Sequence, residues 1–179
     1  MRAPIVMFAL ALVPLSAQLS APSRAEIEAM ERNFDQKLQR FSIDAPVEVL
    51  GLTRGLYLQG YGAAFTAEVN LVQTPGVSPF RPTLSKEDIA KVRAAKLRRL
   101  PEIKNLMRDM LVNSAGSMDR VPMNERLVLG LFLFYNSWED ASGMPHRITM
   151  QAPRRGLLDV ATNRQPRTAL DSVIQVREE

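Results

Sequence analysis

The chain of 179 residues contains no cysteine and a single histidine. The missing cysteine excludes a disulfide framework, a thiolate metal site, a cysteine nucleophile and a lipid-modified N-terminal cysteine. With His146 as the one imidazole, neither a structural zinc site nor a copper site has its ligands. Calcium stays open in principle, since carboxylates and carbonyls suffice for it, but no metal site and no cofactor is expected. A Ser-His-Asp triad needs a histidine beside a nucleophile and an orienting acid. His146 follows Met144-Pro145 in a polar stretch, and no G-x-S-x-G elbow occurs anywhere. The P-loop, the dinucleotide-binding glycine pattern and the EF-hand loop are absent too. No apolar run reaches the roughly 20 residues that span a bilayer. The formal charge is +4, which favours anionic partners mildly without indicating nucleic acid.

What is present begins with an address. Arg2 is followed by an apolar run through Ile5, Met7, Phe8, Leu10, Leu12 and Val13, then by small and polar Ser16, Ala17 and Ser20. That order describes a secretory signal peptide over 1–17, with cleavage after Ala17. The expected location is periplasmic or secreted, with no stable membrane insertion once the segment is removed. The remainder, about 160 residues, is one ordinary domain able to bury a core without staples.

Residues 18–45 read as an N-terminal amphipathic helix. Ser23 and Glu26 have capping-box spacing, and Ile27, Met30, Phe34, Leu38 and Phe41 form one apolar stripe. Asp44-Ala45-Pro46 stops the helix. The stripe must be covered by its own sheet, over Phe132 and Phe134, or by a partner. The second case would give a homo-oligomer or a contact with an envelope protein.

Residues 46–179 read as a single α+β domain. Val47–Leu58 and Gly62–Val72 are strands joined at Gln59-Gly60-Tyr61-Gly62. Thr74–Thr83 is a proline-rich loop. Ser85 and Asp88 cap a long helix that either kinks at Pro101 or restarts there, and Gly116 is its expected stop. Leu127–Tyr135 is nearly all apolar, which predicts a central strand covered on both faces. Arg147–Ala152 is a further strand, and Val173–Val176 is an edge strand or short helix. The fold class is α+β: an antiparallel sheet of about four to five strands, with the long helix and the N-terminal helix packed on it.

Three groups could carry function. Trp138-Glu139-Asp140 sets the only tryptophan beside two carboxylates in a loop after the central strand. Adjacent acids seldom flank a glycosidic bond, so the pair alone makes no catalytic dyad. The plainer reading is a tryptophan closing the core edge beside two solvated acids. Tyr57 and Tyr61, with Gly60 and Gly62, could stack on a sugar or could simply be a hairpin. The basic residues Lys86, Lys91, Arg93, Lys96, Arg98, Arg99, Lys104 and Arg108 could face an anionic surface or be a solvated helix face.

Gly60-Tyr61-Gly62-Ala63-Ala64-Phe65, with Ser137-Trp138-Glu139-Asp140 and the export pattern, resembles a group of uncharacterised exported bacterial proteins. These carry a G-Y-G-A-x-F stretch leading into a strand. The resemblance implies an address and no activity, cofactor or partner. Three function classes remain. The first is an exported domain acting through protein contacts or self-association, with no catalytic residue. The second is an envelope hydrolase using Glu139, Asp140 or His146. The third is a module binding anionic or glycan envelope material. The candidate surface is Tyr57, Tyr61, Trp138, Glu139, Asp140 and His146.

Overall fold

The computed structural model describes residues 21–41, 46–74 and 84–179. The expected signal peptide, the stop at Asp44-Ala45 and nearly all of the proline-rich loop lie outside them. The element order is α1 (Arg24–Gln39), β1 (Glu48–Leu58), β2 (Gly62–Asn70), α2 (Lys86–Ser117), β3 (Arg126–Leu133), β4 (Arg147–Pro153), α3 (Arg154–Ala161), α4 (Leu170–Val173) and β5 (Gln175–Glu178). The strands form one sheet in sequence order, β1 to β5. Three neighbouring pairs are antiparallel, and β2 and β3 run parallel. The architecture is therefore α+β as expected, with a mixed sheet where an antiparallel one was expected. Two parallel strands need a long crossover between them, and α2 supplies it.

The helix starts follow local chemistry. Ser23 and Glu26 form a complete capping box at α1, and the Ser85 hydroxyl accepts the Asp88 amide at α2. Pro101 lies inside α2, which continues unbroken past it and past Gly116 to Ser117. The carbonyl that the missing proline amide would have bonded belongs to Leu97. That residue is exposed, so water can take the bond.

All helices that bury apolar surface do so on one side of the sheet. Phe34 of α1 meets Phe65 of β2 edge to face, with ring centroids 5.1 Å apart. Ile27, Met30, Phe34 and Leu38 join the same core as Ile103, Met107 and Met110 of α2 and Leu127, Leu129 and Leu131 of β3. The stripe of α1 is thus covered by its own sheet, over Phe65 and not over Phe132 and Phe134. Those two phenylalanines are 41% and 37% exposed. β3 is the central strand, but it is covered on one face only, which corrects the expectation drawn from its continuous apolar run.

β1 reverses the usual alternation. Leu50, Leu52, Leu56 and Leu58 are exposed, while Thr53 is buried. A side chain at Gly55 would collide with the Phe65 ring at 2.5 Å and with Ile27 at 2.8 Å. Glycine there lets α1 and β2 close over β1. Among the described residues, no helix is long and apolar enough to cross a membrane.

Candidate functional site

The residues singled out from sequence fall at opposite ends of the sheet. Tyr57 and Tyr61 stand near the β1–β2 turn, where the Arg126 amide donates to the Tyr61 carbonyl at 2.8 Å. Trp138, Glu139, Asp140 and His146 follow the far end of β3. The eight residues of that strand separate the two groups by roughly 25 Å.

At the first end, the glycines explain the motif. Gly60 and Gly62 have φ of 81° and 135°. A Cβ on Gly62 would lie 1.9 Å from the Arg126 carbonyl oxygen, so this backbone touches β3 directly. Glu125 is buried and accepts the Gly60 amide at 2.9 Å. Burial, then the nearby Glu125 carboxylate, raises the Tyr57 phenol above its ordinary range. Tyr57 is therefore part of the turn's scaffold. Tyr61 is exposed, and its hydroxyl donates to Gln151 Oε1 at 3.1 Å.

At the second end, two cations one helical turn apart on α2 take the carbonyls that end the parallel strands. Lys96 Nζ donates to the Phe134 carbonyl and Arg99 Nη1 to the Leu71 carbonyl, both at 2.9 Å. Each carbonyl belongs to the first residue beyond its strand, where the ladder no longer supplies a partner. Lys96 also meets Glu139 Oε2 at 2.6 Å, with both side chains almost fully buried. The Asn136 backbone and side-chain N–H groups donate to Glu139 Oε1 at 2.9 and 2.8 Å. Lys96 lies 4.6 Å from the centre of the Tyr135 ring. Burial lowers the Lys96 ammonium and Glu139 opposes that shift. Burial, then the Glu139 charge, pushes the Tyr135 phenol up to about 12. Glu139 is thus not a solvated acid. Lys96 and Arg99 do not belong to a solvated helix face either.

Asp140 is exposed. Hydrogen bonds from Ser142, then the charge of Arg93, hold its carboxyl below the usual range. Arg93 donates to the Asp140 and Ser142 carbonyls at 2.7 and 2.8 Å, clamping the loop to α2. His146 is exposed and stacks edge-on to Tyr135, with centroids 5.0 Å apart. Trp138 is half-buried. The loop's polar groups are engaged in holding its own shape. Among the described residues, no three His, Asp or Glu side chains are placed to hold a metal ion.

No protein-family model, curated protein or solved structure matches the chain. The uncovered face of the sheet offers a candidate surface.

That face has two halves. On β1 to β3 it carries exposed apolar side chains, Leu56 and Leu58 of β1, Phe132 of β3 and Phe134 just after it, with Arg54, Thr66 and Glu68 between them. On β3 to β5 it is polar and hollowed into a groove of about 420 Å³, lined by Tyr61, Arg147, Thr149, Gln151, Gln175 and Arg177 among others. Gln151 Nε2 and Arg126 Nη1 both donate to Gln175 Oε1 at 3.1 Å, which fixes the groove floor. Arg147 and Arg177 both lean on the Glu179 carboxylate. Sequence reading found Tyr61 but missed the rest of this groove. Alternation of polar residues along β4 is also what any solvated strand shows.

Proposed function

We propose that the protein is an exported, non-enzymatic module that binds an anionic envelope glycan in the groove on the open face of its sheet. The observation that carries this reading is the pairing of Arg147 and Arg177 around one carboxylate, within a groove of amide, hydroxyl and phenol groups. Two guanidiniums and a row of neutral hydrogen-bonding groups suit a carboxylate-bearing sugar chain. The exposed Tyr61 ring gives a surface on which a sugar can stack.

The hydrolase reading has less support. Glu139 is held in a buried ion pair, and Asp140 is tied into a turn at the same end of the fold. The apolar stripe of α1 lies in the core, so it is not offered to a partner.

Calorimetric titration with oligogalacturonate and with a neutral dextran oligomer tests the proposal. The acidic oligomer should bind, and binding should weaken as salt rises. Arg147→Gln and Arg177→Gln should each lose about tenfold in affinity, as expected when a charged hydrogen bond is removed. Equal binding of the neutral oligomer, or none of the acidic one, overturns it. Export is checked by mass spectrometry of protein from the producing cell, which should show an N-terminus near Gln18.

A further inference from the structure

The β1–β3 half of the open face carries two charges that have no ion-pair partner among the described residues. Arg54 pairs in register with Thr66, and Glu68 pairs with Gly51 on one side and Phe132 on the other. Thr66 and Glu68 are two residues apart on β2, so Arg54 and Glu68 share the open face. The Glu68 side chain lies over Gly51, where an added Cβ would be 3.3 Å from Glu68 Cβ and 3.7 Å from Oε2. Both residues are exposed, and among the described residues neither has an ion-pair partner.

Around them stand the apolar side chains. Leu56 and Leu58 follow Arg54 on the same face, and Phe132 lies beside Glu68. Leu50 and Leu52 flank the irregularity of β1 at Gly51. With Phe134, these six are 37–58% exposed. Leu56 and Leu58 beyond Arg54, and Phe132 beside Glu68, are exposed apolar groups of the kind that mark a contact surface.

We infer that this strip is the interface of a two-fold dimer, in which Arg54 of each copy meets Glu68 of the other. The argument rests on charge. Whatever covers the strip also removes Arg54 and Glu68 from water, which is costly unless each gains a counter-ion. An occupant that offers an acid over Arg54 and a base over Glu68, at the spacing of two neighbouring strands, offsets that cost. The strip offers that pair itself. An isologous two-fold axis running between the two residues makes each the partner of the other, twice over. The two sheets then pack face to face through β1 and β2. Arg147 of the groove lies 5.8 Å over the Phe132 ring at the border of the strip, so the dimer is tested without glycan, which keeps its failure distinct from that of the glycan reading.

Sedimentation equilibrium of the purified protein across the micromolar range tests this. The parent should dimerise. Arg54→Glu sets like charges against each other at both contacts, and so does Glu68→Arg. Each variant alone should dimerise at least about tenfold more weakly. Both positions are exposed, so the melting temperature of the monomer should not move, which separates loss of contact from loss of fold. The decisive step mixes the two variants. A copy with Glu at both positions meets a copy with Arg at both, all contacts are complementary, and a heterodimer should form. A parent that stays monomeric at every concentration overturns the inference, whatever else the strip binds. So does a mixture that associates no better than either variant alone.

Discussion

The carboxylate of Glu31 accepts the amide of Gly55 at 2.7 Å, reaching from helix α1 to the outer edge of strand β1. One turn along, Asp35 accepts both the amide and the hydroxyl of Thr53 at 2.7 Å. β1 is an edge strand of 11 residues, and an open edge of that length is a template for pairing with another chain. Here two helix carboxylates take the amides that a foreign strand would seek. This leaves the face of the sheet, and not its rim, for the inferred dimer contact.

Replacing Glu31 tests the edge cap. Glu31→Leu leaves the half-buried Gly55 amide without its acceptor, which costs about 1–3 kcal/mol. Glu31→Gln keeps a carbonyl in place and should cost less than Glu31→Leu. Urea unfolding measures both. The leucine variant should also aggregate faster at equal stability, since its edge is open. Equal behaviour of the two variants would show that the carboxylate merely fills space.

The glycines of the G-Y-G-A-x-F stretch separate by cost. Gly62→Ala meets the Arg126 backbone at a φ that L residues rarely adopt, and should lose at least about 3 kcal/mol. Gly60→Ala has the same kind of backbone strain but open space around its Cβ, and should lose about 1–2 kcal/mol. A reversed order in denaturant midpoints would contradict the direct contact between Gly62 and β3.

These examples mark where sequence reading reaches its limit. Caps at Ser23 and Ser85 and the alternation of β2 were legible because their causes lie within a few residues. The parallel pairing of β2 and β3 was not, since nothing local distinguishes a strand that returns beside its predecessor from one that reverses. The exposure of the β1 leucines was not legible either: their composition is that of a core strand, and the close approach of α1 at Gly55 is what turns Leu56 and Leu58 outward. Lys96 and Glu139 looked like solvated charges in separate elements. Their burial depends on the Phe134 carbonyl and on each other, 43 residues apart by their numbering.

That buried pair should be strongly coupled. Lys96→Met or Glu139→Leu alone strands one ion in the interior and should cost about 3–5 kcal/mol. The double variant should cost less than the two added together, because neither charge remains. Additive losses in a double-mutant cycle would mean that the two residues act through separate neighbours.

Tyr135 gives the same cluster a pH signature. Its phenol, raised from 10.0 to about 12 in the folded chain, holds its proton more tightly there than after unfolding. The resulting stability is complete below pH 10 and is lost as pH rises towards 12. Tyr135→Phe cannot ionise, so the stability difference between parent and variant should shrink over that window. Lys96 is present in both proteins, so its lowered pKa cancels to first order. A difference that is constant with pH would show that the phenol titrates normally.

The last prediction concerns Glu179. Its carboxylate occupies Arg147 and Arg177 in the groove, so any external anion must displace it. All three side chains are well exposed, and exposed ion pairs contribute only about 0.2–1 kcal/mol. Glu179 is therefore a weak internal competitor. Glu179→Gln removes the competing charge and leaves both guanidiniums in place. Oligogalacturonate should then bind up to about fivefold more tightly, which is the affinity equivalent of 1 kcal/mol. The gain should fade at high salt, where screening weakens competitor and ligand alike. Titration calorimetry of the parent and the variant at two salt concentrations measures this. Weaker binding by the variant would mean that Glu179 helps to shape the groove instead of competing for it.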